Sequence, residues 1–332
     1  MSGTPVTILI PSNLAERRDM LAHRLRFLGM AGYTGDVVIG VWGGHEYIPD
    51  LQKVCAGLAQ LKVAIVPQQG ADIFPKRLLG LAELVRQPYV ITVGDDDFLV
   101  PSAFAQPIAL LESDPGISCA QGRAMNLKVS ADGEHYQGDG FPLWDALESN
   151  PVQRFATLMK HYTFSWHAIY RRDQFIERAR YMVDMQEHST DGAFFECIGD
   201  VYAVITGKVA LCEELYMIRG VHDRNTSTTA RQGGINYLVP PFLLLSPQFS
   251  ACYAHFQSLV LKMFQAVGVD TTKEETLRNI LKGMMYLLGH RFFKLRDGLQ
   301  PREAAFQQMI TGQDPRIMTW LNMVHMAGRP TA

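Results

Sequence analysis

Between residues 6 and 93 the chain alternates two kinds of apolar pattern. VTILIPS (6–12), DVVIGVW (36–42), KVAIVP (62–67) and YVITV (89–93) are short, nearly unbroken runs rich in β-branched residues. That is the pattern of strands buried on both faces of a parallel sheet. The segments between them carry helical spacing instead. Asn13 is placed to cap a helix whose Leu14, Leu21, Leu25 and Leu28 fall on one stripe. A Gly43-Gly44 turn closes the second strand, Leu51, Val54, Leu58 and Leu61 mark the next helix, and a third covers roughly 75–86. Strand-helix alternation through four strands predicts βαβ crossovers and a doubly wound, mostly parallel α/β sheet.

Beyond residue 100 the pattern loosens. KVSADGEHYQGDGF (128–141) is rich in Gly and Asp and reads as a hairpin or mobile loop, a candidate lid over a site. Asn150-Pro151 has the signature of a helix start, with Pro at the first helical position. TFSWHAIYRR (163–172) reads as a strand, 189–206 as a helix starting near Ser189, and KVALCEELYMIRGVH (208–222) as a strand again. From about 236 onward Leu, Met and Phe stripes predict helices. The chain therefore divides into 1–100, 101–235 and a helical C-terminal part, 236–332, with no internal repeat.

Composition narrows the class. Of 332 residues, 47% are hydrophobic and 19% charged, which suits a packed fold and not disorder. A formal net charge of -2 argues against a dedicated nucleic-acid binder. The five cysteines (Cys55, Cys119, Cys197, Cys212, Cys252) are scattered and never paired as C-x-x-C, as expected of reduced, buried thiols. The N-terminus lacks the basic lead of a signal peptide, and no apolar stretch reaches the ~18 residues of a spanning helix. A cytoplasmic protein is the expectation.

The chemistry concentrates in YVITVGDDDFLVP (89–101). In a doubly wound sheet, ligands bind beyond the carboxyl ends of the strands, and Asp95, Asp96 and Asp97 sit at such an end. A solvated turn and a helix cap account for one or two of them. Three adjacent carboxylates repel one another, and a divalent cation relieves the repulsion. Hard oxygen ligands favour Mg2+ or Mn2+, with substrate phosphate completing the shell. There is no G-x-G-x-x-G after the first strand and no G-x-x-x-x-G-K-[ST], which argues against a dinucleotide oxidoreductase and a P-loop NTPase.

Together VTILIPSN, a following helix with Arg17 and Arg18, and YVITVGDDDFLVPSAF resemble nucleotide-sugar-dependent glycosyltransferases of the GT-A fold, in particular the inverting family-two type of bacterial surface-polysaccharide synthesis. The similarity covers roughly residues 5–225. It implies a GT-A domain whose first half binds the nucleotide-sugar, UDP-sugar favoured, and whose second half binds a glycan or lipid-linked acceptor. It also implies an Asp-x-Asp motif holding Mn2+ or Mg2+. Two frames fit: Asp95-x-Asp97, or Gly94-x-Asp96 followed by Asp97, the second with Gly replacing the family's first aspartate.

By the same resemblance Pro11, Ser12 and Asn13 face base and ribose, with Arg17 alongside. Trp42 stands where the family carries an acidic residue, either stacking on a base or filling core. Lys76 and Arg77 match a basic position beneath the phosphates, or form a solvated helix face. Asp191 matches the general base, with Glu187 as substitute; the alternative is a carboxylate favoured by a helix N-terminus. His222 resembles a further metal or diphosphate ligand, and Arg224 and Arg219 are phosphate candidates. The C-terminal helices are ordinary packed structure, a homodimer face, or a peripheral contact with the inner face of the plasma membrane. Without a carboxylate at the acceptor, a retaining mechanism replaces the inverting one. A sugar-nucleotide nucleotidyltransferase and a non-catalytic nucleotide- or sugar-binding module are the rival readings.

Overall fold

A computed structural model describes residues 4–69, 73–129, 136–141, 143–161, 165–188, 192–221, 247–293, 308–310 and 312–328. The first strand, β1 (Val6–Asn13), lies between β2 (Asp36–Gly43) and β4 (Tyr89–Thr92), with β3 (Lys62–Pro67) beyond β2. All of these pairings are parallel. They are joined by α1 (Leu14–Met30), α2 (Ile48–Ala56) and α3 (Phe74–Glu83). This is the doubly wound arrangement that the alternating pattern predicts. Asn13 caps α1 as expected, its side-chain oxygen accepting from the Ala15 N–H at 3.2 Å.

The sheet then continues as a mixed one. A three-residue strand, β5 (Asp97–Leu99), follows the aspartates, and α4 (Ala105–Ser113) leads to β6 (Ile117–Val129). Next come β7 (Tyr136–Phe141), α5 (Pro151–His161), β8 (Ile169–Arg171), α6 (Arg172–Glu187), α7 (Gly192–Thr206) and β9 (Lys208–Val221). The nine-stranded sheet runs β3-β2-β1-β4-β8-β6-β9-β5, with β7 paired to β6. Strands β6 and β9 are parallel, whereas β8 is antiparallel to both β4 and β6.

Several predicted boundaries move for local reasons. The second helix ends at Gly57, and Leu58 and Leu61 reach the core from the connection that follows. The strand expected over 163–172 shortens to Ile169–Arg171. Ahead of it, buried Asp200 accepts from both the Ser165 N–H (3.0 Å) and the Ser165 hydroxyl (2.6 Å), holding a turn closed by Ala168 N–H to Ser165 carbonyl. The 128–141 segment is a hairpin in its stems, pairing Val129 with Tyr136. Its tip, 130–135, is outside the described residues, as are the start of the helix predicted from Ser189 and the segment 222–246.

Side-chain alternation divides the interior. Val6, Ile8 and Ile10 of β1 point to one face, where α1 (Leu14, Leu21, Leu25, Leu28) and α4 cover them. Leu9 points to the other face, covered by α3, α5, α6 and α7. Two of the C-terminal helices, α8 (Pro247–Ala266) and α9 (Glu274–Phe293), pack into that second core through Phe256, Val260, Phe264, Ile280 and Met284. The last, α10 (Pro315–Gly328), packs on the opposite side against Phe27 of α1 and Phe98 of β5. All five cysteines are free thiols. Among the described residues no helix is long and apolar enough to cross a membrane.

Fully buried Phe256 meets Phe194 of α7 with ring centroids 5.6 Å apart. Phe256→Ala is expected to cost about 3–5 kcal/mol, read by denaturant unfolding of the full chain. A truncation ending before Pro247 should expose the α5 and α7 faces and be insoluble. A monodisperse truncation with a cooperative melt would show that the C-terminal helices are not part of the core.

Candidate functional site

Because β1, β2 and β4 are parallel, their carboxyl ends bring Ser12 and Asn13, Trp42, and the aspartate run to one edge of the sheet. Asp95 is 7% exposed and turned back into the fold. Its carboxylate accepts from the Ser12 hydroxyl at 2.7 Å and lies 3.4 Å from the Arg17 guanidinium. Arg17 also pairs with Asp96 at 2.9 Å. Burial raises the Asp95 carboxyl to about 6 against the pull of Ser12, and the Asp96 charge adds to the rise.

Asp97 opens β5, in register with Arg219 of β9, and is 6% exposed. The Gly220 N–H donates to its Oδ1 at 3.2 Å. This approach needs glycine, because a Cβ on Gly220 would stand 2.5 Å from the Asp96 carbonyl oxygen. Burial, with Asp96 second, raises Asp97 to about 6 as well, while Arg219 and Arg24 draw it down. The imidazole of His167 is beside it, Nε2 3.6 Å from Oδ2. His167 Nδ1 lies 3.0 Å from the Thr92 carbonyl, which can only accept, so Nδ1 carries the proton. Burial lowers this histidine to about 3, so the ring is neutral and its Nε2 lone pair faces the Asp97 carboxylate.

Arg24 lies in α1, wholly enclosed, and among the described residues its guanidinium makes no hydrogen bond. Burial lowers it to about 10, and the charges of Asp97, Asp96 and Asp95 oppose that fall. It is a buried counter-charge to the aspartate run. Neither Arg24 nor His167 stands out in the sequence by motif. The readable signal for Arg24 was spacing: Arg17 and Arg24 are each three residues past Leu14 and Leu21, on the buried stripe of α1.

These side chains fit a divalent cation. A Cβ built on Gly94 would lie 2.7 Å from Asp96 Oδ1 and 3.4 Å from Asp97 Oδ2, so the missing side chain leaves a cradle between two carboxylate oxygens. Asp95 is meanwhile engaged by Ser12 and Arg17. His167, oriented by its main-chain bond, lies beside this pair with Nε2 3.6 Å from Asp97 Oδ2.

The remaining candidates divide into those with structural duties and those outside the described residues. Pro11 pairs with Gly40 within the sheet. The Asn13 oxygen is taken up by capping α1. Trp42 lies under the Arg77 guanidinium, 4.4 Å from ring centroid to Cζ. Lys76 pairs with Glu187 at 2.6 Å, and that bond holds the Glu187 carboxyl below its usual range. Glu187 is thus a weakened base. Arg219 stacks over Phe141, 4.6 Å from its centroid. Asp191, His222 and Arg224 are outside the described residues.

No protein family matches the chain in sequence, and no curated protein does. Solved structures with a similar chain path include TarS 1-349 from S. aureus (TM-score 0.46, 11% identity, 97% of this chain and 90% of that one). The same S. aureus TarS fragment in complex with UDP-GlcNAc aligns at TM-score 0.41, with the same identity and coverage. The mannosyltransferase PcManGT from Pyrobaculum calidifontis, in complex with GDP-Man and Mn2+, aligns at TM-score 0.48 and 11% identity over 99% of this chain and 86% of that one. At such values these likenesses define no activity, and the chemistry below comes from the residues of the site.

The raised carboxyls set a pH dependence. Asp95 and Asp97 both move from 3.8 to about 6, so the folded protein holds these protons more tightly than the unfolded chain. Their contribution to stability is complete below about pH 4 and is lost as pH rises through about 6. The metal-free melting temperature of a double variant, Asp95→Asn with Asp97→Asn, should therefore vary less over that range than wild type. Mn2+ selects the ionised form, so its stabilisation of wild type should grow above about pH 6 and vanish near pH 4. A Mn2+ shift independent of pH would remove these carboxylates from the site.

Proposed function

We propose that this chain is a metal-dependent glycosyltransferase. It moves a sugar from a nucleotide-sugar, UDP-sugar favoured, to a hydroxyl of a glycan or lipid-linked acceptor in bacterial surface-polysaccharide synthesis, with inversion. The observation that carries the reading is the aspartate run at the carboxyl edge of a parallel sheet, with the Gly94 cradle between Asp96 and Asp97. In this reading the aspartate run, with Asp97 in either frame and Asp95 or Asp96 as its companion, would hold Mn2+ or Mg2+, and His222 would add to it. The cation, when bound, offsets charge on the donor diphosphate and on the leaving nucleoside diphosphate.

The chain's own residues do the rest. Ser12 and Arg17 hold Asp95, and Arg17 also holds Asp96, so β1 and α1 orient the run in either frame. Pro11, Ser12, Asn13 and Trp42 form the base and ribose side. Lys76, Arg77, Arg219 and Arg224 supply positive charge toward the phosphates, Lys76 by leaving Glu187. Asp191 takes the acceptor's proton as the oxygen forms a bond to the anomeric carbon from the face opposite the breaking sugar–phosphate bond. Glu187 is the weaker substitute because Lys76 stabilises its ionised form. The hairpin 128–141 closes over the donor and keeps water out.

A thermal-shift screen of nucleoside diphosphates and sugar nucleotides, with and without Mn2+, tests donor binding. Asp97→Asn should fold but lose Mn2+-dependent stabilisation by nucleoside diphosphate, and retention of that shift would sink the metal assignment. Asp191→Asn should keep donor affinity and lower turnover by roughly 10²–10⁴-fold. Near-normal turnover, or a product retaining the donor's anomeric configuration, excludes Asp191 as base. Pyrophosphate release from a nucleoside triphosphate would indicate a nucleotidyltransferase, and donor binding without turnover a binding module.

A further inference from the structure

A second cluster of ligand-type side chains lies where α6 meets α8. Asp184 of α6 and His188, one residue past the end of that helix, are four apart and share a face. His255 comes from α8. One ligand atom from each lies within 4.8 Å of the others, the one such trio among the described residues. His255 Nε2 is 3.0 Å from Asp184 Oδ1, and the two imidazoles stack with centroids 3.9 Å apart.

We propose that Asp184, His188 and His255 form a zinc site that clips α8 to α6. His188 Nδ1 lies 2.9 Å from the Asp184 main-chain carbonyl, an acceptor only, so Nδ1 bears the ring proton and the Nε2 lone pair is left for a cation. A main-chain bond of this kind is how metal-bound histidines are oriented. Two imidazoles and one carboxylate suit Zn2+ far better than Mg2+ or Mn2+, which prefer all-oxygen shells. Three protein ligands leave a fourth position, and His188, with about half of its side chain exposed (53%), leaves water access to it. The donor set thus separates two metal classes in one chain, oxygen-seeking ions at the aspartates and Zn2+ here. Bound Zn2+ would join the helix that carries Glu187, the partner of Lys76, to the C-terminal helices.

The inference is independent of the transferase reading. Its test uses the untagged full chain, stripped with chelator and titrated with Zn2+ alone, reading bound metal by mass spectrometry and melting temperature by calorimetry. Wild type should take up one Zn2+ and melt higher. His188→Ala with His255→Ala should weaken that binding by more than about tenfold, while Asp97→Asn should leave it unchanged. If the histidine double variant fails to fold, Co2+ titration of wild type decides: tetrahedral d–d absorption that excess Mn2+ does not displace supports the site, and its absence overturns it. Equal Zn2+ uptake by wild type and the histidine variant, no uptake by wild type, or loss of uptake in Asp97→Asn alone would each overturn the proposal.

Discussion

Three consecutive carboxylates partly withdrawn from water are the constraint around which this fold is arranged. Moving a carboxyl from 3.8 to about 6 corresponds to roughly 3 kcal/mol of preference for the neutral form. A fold that needed only a tight turn would have placed these groups in solvent. Here Arg17 and the enclosed Arg24 come from α1, Ser12 from β1, the Gly220 N–H from β9 and His167 from the turn before β8. Three separate stretches of chain, β1 with α1, the turn before β8, and β9, meet around one acidic run.

The composition of that surround explains what it favours. Arg24 supplies positive charge without hydrogen-bonding any carboxylate among the described residues, so it offsets the field without occupying the oxygens. Asp95 is held by Ser12 and Arg17, Asp96 by Arg17 and Asp97 by the Gly220 N–H, and one oxygen each of Asp96 and Asp97 borders the space over Gly94. His167, kept neutral by burial, adds no charge beside Asp97. Arg17, Arg24 and Arg219 offset the acidic run, while burial holds Asp95 and Asp97 part-way to the neutral form.

The parallel half of the sheet was legible because each of its strands is a continuous apolar run, a pattern that depends only on local residues and burial on both faces. The aspartate run was legible for a related reason: charge at the end of such a run needs an explanation. What escaped was set by distant partners. Strand β5 is three residues long and exists because β9 lies beside it. The 163–172 strand was shortened by Asp200, thirty-five residues downstream of Ser165. His167 gains its role from a carbonyl on β4, and Asp184, His188 and His255 meet only through helix packing. Among expected site residues, the structure gathers Ser12, Arg17, Asp95, Asp96 and Asp97, whereas Asn13 serves as a cap and Glu187 is tied to Lys76.

Helix α10 leans on α1 directly: Trp320 lies 6.2 Å from Phe27, and His23 is hydrogen-bonded to the Val324 carbonyl at 2.6 Å. His23 is one residue from Arg24, and Phe27 is one turn further along the same helix. The last helix therefore acts as a buttress for the counter-charge beneath the aspartates. Because the same helix also packs on Phe98, the residue after Asp97, the acidic and basic halves of the site share one packing partner.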